Sequence, residues 1–381
     1  MKKLYWRPHR MSARVIFLLA TFALVGLVLV ESFRVQVRQQ YYREKLQAAK
    51  LTLKAFQIIK EERLKRGIPI DAKTDPARSG LIGSLISPIT TVTGQLPAKQ
   101  MSINPNFAAV IVHLLKRCEI SPGDIVALGT SGSFPALNIA ALAAVKVLKA
   151  KAVVISSVSS SQWGSNHPQF AWPDMERILV RRGILPTRSI AVSLGGIDDL
   201  AIGLNESGRQ LLEAVIARSK LPKLDVENFE DSLKKRMTLY RQYSGGEDIK
   251  AYINIGGGTT SVGTRVGKQL FKAGLNRWIP RGASAIDSVM TRFAKIGVPV
   301  IHITRISELA QRYGLPLDSK SIPTVGEGKI FVREEYSLWL TGGVLLVIFV
   351  LMVGLLRFDL AHRLFSSTMG PAEDKNPEQM V

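Results

Sequence analysis

The chain has 381 residues, of which 46% are hydrophobic, and a formal net charge of +21 at pH 7. This length exceeds that of one small domain and is sufficient to bury a large core. The single cysteine, Cys118, excludes an intrachain disulfide and a Cys-x-x-Cys metal site.

Two segments near the ends of the chain concentrate the apolar residues. Neither Val15–Val30 nor Ser337–Leu356 contains a charged side chain. A helix of about 20 apolar residues crosses the hydrocarbon core of a bilayer. The sequence therefore predicts transmembrane helices at 15–32 and 337–356. No small-residue cleavage pattern follows the first segment, which argues against a cleaved signal peptide.

The flanking charges predict an orientation. The tail 1–14 carries five basic residues and no acid, which favours a cytoplasmic location. Two crossings then place the central domain outside the cytoplasm and return the tail 357–381 to it. On this interpretation the chain is a two-pass protein of the cell membrane.

The central region has two parts. Residues 33–66 are rich in Lys and Arg and show helical spacing of apolar residues, so they predict a basic stalk helix. The alternative is a helix that docks on the following domain. Residues 67–330 alternate apolar strands with helical segments. The predicted strands are Ile125–Leu128, Ala152–Ser156, Ser189–Leu194, Ala251–Ile255 and Pro299–Ile303.

This alternation predicts an α/β fold with a mostly parallel sheet and helices on both faces. An N-terminal and a C-terminal transmembrane helix are expected to flank it. Ligands of parallel sheets bind beyond the carboxyl ends of the strands. Four loops are expected at that edge: 129–135, 156–172, 195–199 and 256–261.

Glycines and hydroxyl groups in these loops predict a binding site for a carboxylate or a phosphate. Glycine allows backbone N–H groups to approach an anion, and a following helix adds its dipole. Each motif alone is also typical of an ordinary strand-to-helix turn, and no P-loop motif is present. The candidate ligand-binding residues are Gly129, Thr130, Ser131, Gly132, Ser133, Asn166, Gly256, Gly257, Gly258, Thr259 and Thr260.

The sequence assigns neither a catalytic residue nor a cofactor, but it offers candidates for the catalytic residues. Ser131 follows a strand and precedes a helix, as a nucleophile does in a G-x-S-x-G elbow, although Ser133 replaces the second glycine. His167, in a polar and aromatic loop, is the better histidine candidate. His302 lies inside an apolar strand, where a buried core histidine is more common.

Acidic residues suggest two further sites. Asp198 and Asp199 follow a strand and are weak candidates for metal ligands; a helix cap is the more common role for such residues. The chain order Ser131, then Asp198 or Asp199, then His302 matches that of an α/β-hydrolase triad.

Several longer motifs occur in a characteristic order. They are GLIGSLISPITT (Gly80–Thr91), NPNFAAVIVHLLK (Asn104–Lys116), GTSGSFPALN (Gly129–Asn138), SSSQWGSNHPQFAWPDME (Ser159–Glu176) and INIGGGTTSVG (Ile253–Gly263). Together they resemble the poly-gamma-glutamate system protein family over roughly residues 80–330.

The resemblance implies a component of a machine that makes, exports or processes poly-γ-glutamate at the cell envelope. It implies no catalytic residues. The expected partners are the anionic polymer or subunits of its synthase, together with the lipid bilayer and no nucleic acid, and the basic charge suits a polycarboxylate. The alternatives are a Ser-dependent amidase, a phosphosugar-binding enzyme and a non-catalytic membrane scaffold.

Overall fold

The structure is a computed structural model that describes residues 13–317 and 320–357. The chain forms two compact units. One contains the described residues up to Val37 and those from Arg333 onwards, and the other is Arg38–Val332. Residues 1–12 and 358–381, which include most of the predicted N-terminal tail and almost all of the predicted C-terminal tail, lie outside the described residues.

The helices and strands have the following bounds. The strands are β1 (Arg34–Arg38), β2 (Thr90–Val92), β3 (Ile125–Ser131), β4 (Lys151–Ser157), β5 (Ser160–Ser161), β6 (Asn166–His167), β7 (Phe170–Ala171), β8 (Ala191–Ser193), β9 (Ile249–Ile255), β10 (Gly274–Asn276), β11 (Val300–Ile303) and β12 (Val332–Tyr336). The helices are α1 (Ala13–Ser32), α2 (Tyr42–Lys65), α3 (Leu96–Ser102), α4 (Phe107–Arg117), α5 (Pro135–Val147), α6 (Trp172–Arg181), α7 (Glu206–Ser219), α8 (Phe229–Tyr243), α9 (Thr259–Val262), α10 (Arg265–Leu270), α11 (Val289–Lys295), α12 (Ile306–Arg312) and α13 (Leu338–Arg357).

The larger unit is built on a six-stranded sheet in the order β10-β11-β9-β3-β4-β8. Every neighbouring pair is parallel except β10 with β11, which is antiparallel. The first strand of this sheet in chain order is the central strand β3. The chain then passes outwards through β4 to β8 and crosses back to the other side of β3, where it forms β9. The direction of winding therefore reverses between β3 and β9.

Successive residues of the central strands pack into two different cores. In β4, Val154 belongs to the larger core, whereas Val153 and Ile155 belong to a second core with Tyr252 and Phe293. Because neighbouring side chains of a strand point to opposite faces, both faces of the sheet are covered. The predicted α/β fold with a mostly parallel sheet is present.

Helix α2 is a core element, and the predicted continuous stalk over 33–66 does not form. Strand β1 occupies the start of that segment. In α2, Ala48, Ala49, Phe56 and Ile59 are at most 1% exposed, and the helix packs against α4 and the alanine-rich α5. The alternative of a docked helix describes this segment correctly, since its apolar face is buried rather than presented to solvent.

The smaller unit contains α1 and α13, which pack against each other. A Cβ atom on Gly26 would lie 2.5 Å from Val344 Cγ1, so the glycine permits this close approach. A second contact lies nearby, where the Tyr336 hydroxyl donates a hydrogen bond of 3.0 Å to Glu31 Oε2.

The structure contradicts the two predicted transmembrane helices. Over the part of the chain that the structure describes, no helix has both the length and the hydropathy that a bilayer crossing requires. The charge-free stretch of α1, Val15–Val30, covers roughly 24 Å at about 1.5 Å per residue, less than the ~30 Å hydrocarbon core. The prediction of a two-pass protein of the cell membrane is therefore wrong.

Candidate functional site

A cavity of about 970 Å³ opens at the carboxyl edge of the sheet. It lies where the winding reverses between β3 and β9, the position at which open α/β sheets bind ligands. The four loops that the sequence places at this edge all contribute to its lining. Residues from the segments 91–101 and 304–308 also line it, as do Arg236, Ile255 and Lys268.

The first wall is the loop between β3 and α5. Thr130, Ser131 and Ser133 line the cavity, together with Phe134, which precedes the first residue of α5. The loop is tightly held, because Ser133 N donates to Ser131 Oγ (3.3 Å) and Ser161 N donates to Ser133 Oγ (3.0 Å).

The second wall is the loop between β9 and α9. Gly256, Gly257, Gly258, Thr259 and Thr260 all line the cavity. Gly256 has φ +96°, a backbone conformation that side-chain-bearing residues rarely adopt. Gly257 lies against a cation, since a Cβ atom there would be 2.9 Å from Lys268 Nζ.

Thr260 contributes an unusual polar group. The residue is 4% exposed, and within the described part of the chain its Oγ1 has no hydrogen-bond partner. A buried hydroxyl without a partner costs free energy, so such groups mark places where a ligand or a water completes the site.

Two lysines, Lys99 and Lys268, line the cavity. Lys268 is exposed and Lys99 is 2% exposed. Lys99 Nζ donates to Ser161 Oγ (2.8 Å) and to the carbonyl oxygen of Ser133, and it lies 3.7 Å from the centre of the Phe134 ring. Burial and, to a smaller extent, the charge of Lys268 lower the pKa of Lys99 to about 7.

Neither lysine forms an ion pair among the described residues. The lining carboxylates are those of Asp199 and Glu308, and both have other partners: Arg236 binds the first, whereas Arg305 and Arg312 bind the second. The charge of the exposed Lys268 is therefore available to an anionic ligand.

Asp199 and Arg236 form a buried pair in the wall of the cavity. Arg236 Nε is 2.8 Å from Asp199 Oδ2, and Nη2 is 2.9 Å from Oδ1. The hydroxyl groups of Ser193 and Ser232 donate to the same carboxylate, each at 2.6 Å. Burial acts to raise the pKa of Asp199, but the Arg236 charge and these hydrogen bonds hold it below its usual range.

The two predicted metal candidates have other contacts. Both carboxylate oxygens of Asp199 are occupied by the pair with Arg236, and the backbone N–H of Asp198 donates to Thr259 Oγ1 (2.7 Å). Neither residue caps a helix, since Asn205 caps α7. Among the described residues there is no group of three His, Cys, Asp or Glu side chains arranged for a metal ion.

His302 does not form a triad with Ser131 and an aspartate. It is fully buried, and Asn254 Nδ2 donates to its Nδ1 at 3.1 Å, which leaves the proton on Nε2. Burial and the charges of Lys268 and Arg305 lower the pKa of His302 to about 3, so the ring is neutral at physiological pH. Its partner is an amide instead of a carboxylate.

The structure separates the two candidate catalytic residues. Ser131 lines the large cavity, whereas His167 lines a second cavity of about 10 Å³, which has room for about one water molecule. Asn166 lies beside His167, and its amide binds the backbone of Ser84 and the hydroxyl of Thr90. The side chain of Asn166 therefore holds two loops together.

Two of the predicted glycines serve packing. A Cβ atom on Gly129 would be 2.3 Å from the Tyr252 hydroxyl, and one on Gly132 would be 2.9 Å from the carbonyl oxygens of Val158 and Ser159. Neither residue lines the cavity.

The two lysines are not among the site residues predicted from the sequence. Lys99 lies in α3, which precedes the first strand of the sheet, and Lys268 lies in α10, beyond the predicted loop. Nothing in the local sequence distinguishes them from the other Lys and Arg residues. The motifs did contain a usable signal for Ser161, since it lies within the predicted 156–172 loop.

Comparisons of this chain with protein-family models, with curated proteins and with solved structures give no significant match.

Proposed function

We propose that this protein acts in a poly-γ-glutamate biosynthesis or export system and binds glutamyl carboxylates of the polymer in the cavity between β3 and β9. The observation that carries this proposal is the cavity-lining Lys268, whose charge no carboxylate of the described chain neutralises. The motif resemblance supplies the identity of the polymer.

The chemistry of the lining supports an oxygen-rich anion as the ligand. Hydroxyl groups such as those of Ser131, Ser133 and Thr260 donate hydrogen bonds to carboxylate oxygens. The glycine loop 256–258 leaves backbone close to the ligand, and Lys268 supplies a charge-assisted contact at the solvent side. A cavity of about 970 Å³ has the size of those that accept organic ligands, which leaves room for a short stretch of polymer.

The net charge of +21 supports a polyanionic ligand. A positively charged protein raises the local concentration of a polyanion and its association rate, and salt screens this attraction. Binding is therefore expected to weaken as the ionic strength rises.

The test is a calorimetric titration of the purified full-length chain with short γ-linked glutamate oligomers. The variant Lys268→Ala should weaken binding by about 10-fold or more, since one hydrogen bond to a charged group contributes about 1.5–3 kcal/mol. The matched control is Lys272→Ala, which removes an exposed lysine outside the cavity.

Two results would contradict the proposal. One is an equal loss of affinity in both variants, which would mean that the general surface charge and not the cavity binds the oligomers. The other is an affinity for the oligomers that does not change with salt. In the native host, the Lys268→Ala variant should also lower the yield of polymer.

A further inference from the structure

The cavity also holds a serine and a lysine in the arrangement of a nucleophile and its base. We infer that Ser161 is an acyl-accepting nucleophile and Lys99 its general base, and that the pair cleaves the γ-amide bond of the bound polymer. The amide substrate rests on the proposed function; the dyad itself rests on the geometry of the two side chains.

The two reacting atoms are within hydrogen-bond distance. Lys99 Nζ lies 2.8 Å from Ser161 Oγ, and both residues line the cavity. This is the separation at which a base accepts the proton of a nucleophile. Ser161 is 6% exposed and Lys99 is 2% exposed, so bulk water is excluded from the pair.

The surroundings of Lys99 favour the neutral amine near neutral pH. Burial is the larger cause and the Lys268 charge the smaller one, and together they bring the pKa of Lys99 to about 7. A neutral amine has two protons and one lone pair. The protonated amine donates to the carbonyl oxygen of Ser133 and to Ser161 Oγ. In the neutral amine, one proton stays on the carbonyl oxygen of Ser133, and rotation about the Cε–Nζ bond turns the lone pair towards the Ser161 hydroxyl.

Ser161 has a basic side chain within hydrogen-bond distance, whereas Ser131, the nucleophile predicted from the sequence, has none in the described part of the chain. Among the described residues, Ser131 Oγ accepts from the backbone N–H of Ser133 and has no basic side chain within hydrogen-bond distance. His302 does not serve as its base, because that ring is bound to Asn254 and is nearly nonbasic.

The reaction balances without a further reagent except water. Ser161 Oγ attacks the carbonyl carbon of the γ-amide while its proton moves to Lys99 Nζ. The C–N bond then breaks, and Lys99 returns the proton to the leaving amine, which gives an ester on Ser161 and a shortened polymer. Water hydrolyses the ester with Lys99 again accepting and returning a proton, and the free γ-carboxylate leaves.

The test uses an acylating β-lactone probe and a fluorophosphonate probe on the full-length chain, with intact mass and peptide mass as readouts. We expect one adduct on Ser161. The labelling rate should rise with pH through a midpoint of about 7, the pKa of Lys99. Lys99→Met should lower the rate about 100-fold or more and remove that midpoint, since a general base contributes about 10² to 10⁴ in rate.

Two further variants keep the test informative if Lys99→Met does not fold. Ser207→Ala removes an exposed serine outside the cavity and should leave labelling unchanged. Ser161→Cys keeps a nucleophile of similar size, and iodoacetamide should alkylate it with the same dependence on Lys99. Cys118 serves as the internal reference, because burial raises the pKa of its thiol to about 11 and slows its reaction.

Labelling of Ser131, or labelling of Ser161 at a rate that Lys99→Met does not change, would overturn the inference. So would an absence of adducts with both probes in a protein that binds γ-glutamate oligomers, and this result would leave the proposed function intact. Conversely, a labelled Ser161 in a protein that does not bind the oligomers would support the dyad and refute the proposed ligand.

Discussion

Arg236 binds Asp199 through two nitrogens, with Nε at 2.8 Å from Oδ2 and Nη2 at 2.9 Å from Oδ1. Both side chains are 5% exposed, so the ion pair is almost fully removed from water. It joins the loop after β8 to helix α8 in the wall of the cavity. The Arg236 charge is thereby neutralised, and Lys268 is left as the cation that attracts an anion.

We expect Asp199→Asn to destabilise the protein strongly. The substitution keeps the shape of the side chain but leaves the Arg236 charge buried without a counterion, a loss of about 3–5 kcal/mol in the free energy of unfolding. Urea unfolding followed by circular dichroism measures it. Asp198→Asn is the control, because Asp198 has no ion pair in the described chain, and it should change stability by less than about 0.5 kcal/mol. Equal effects of the two substitutions would contradict the role of the pair.

We expect the free energy of unfolding to decrease as the pH rises, because of the buried carboxyl group of Glu176. It is fully buried; its Oε1 accepts from the N–H and the hydroxyl of Ser189, and its Oε2 has no hydrogen-bond partner among the described residues and lies 4.0 Å from Arg188 Nε. Burial raises the pKa of Glu176 to about 7. The carboxyl is protonated in both states below about pH 4.5. From there to about pH 7 the unfolded state ionises first, so stability declines by roughly 3 kcal/mol.

The variant Glu176→Gln tests this pH dependence. A neutral amide keeps an oxygen that accepts from Ser189 and does not ionise, so the variant should be more stable than the unmodified chain at pH 8 and similar to it at pH 5. Unfolding midpoints at the two pH values measure the difference. Glu247→Gln removes an exposed carboxylate and should not reproduce it. A decline of the same size in Glu176→Gln would assign the pH dependence to another group.

Sequence patterns predicted the sheet because its strands are continuous apolar runs. Burial on both faces imposes such runs, and the predicted Ala152–Ser156 differs from β4 by only one residue at each end. The antiparallel edge strand β10 was missed, since its three residues, Gly274–Asn276, carry no apolar periodicity.

The cavity was predictable in part. The glycine loops follow strands in the sequence, and their meeting at one edge follows from parallel pairing. Lys99 and Arg236 reach the cavity only through the packing of α3 and α8, which no local pattern encodes. The terminal helices were mispredicted, because long apolar runs without charged side chains were interpreted as membrane crossings.

Gly257→Ala should weaken anion binding with little loss of stability. A Cβ atom at this position would lie 2.9 Å from Lys268 Nζ and would displace the ammonium group from the cavity. The backbone of Gly257 is outside the positive-φ region, so alanine adopts it without strain. We expect a loss of about 5-fold in affinity for γ-glutamate oligomers, corresponding to about 1 kcal/mol.

Gly258→Ala provides the comparison for this variant. A Cβ atom there would meet no heavy atom within 4 Å, so Lys268 would keep its place and affinity should fall less than in Gly257→Ala. Gly256→Ala differs from both, because φ is +96° at that residue, and it should lower the stability of the chain itself. A larger loss of affinity in Gly258→Ala than in Gly257→Ala would contradict the role given to Lys268.

Thr260→Val separates a ligand contact from a structural defect. The Thr260 hydroxyl is buried without a partner, so its replacement by a methyl group of similar size should leave the protein as stable as before or more stable by about 1 kcal/mol. If the hydroxyl donates to the bound carboxylate, affinity for the oligomers should fall about 3- to 10-fold. Thr52→Val is the matched control, since Thr52 is also buried with an unpartnered hydroxyl but lies in α2, outside the cavity. It should give the same change in stability and no change in affinity. An unchanged affinity in both variants would remove Thr260 from the binding site.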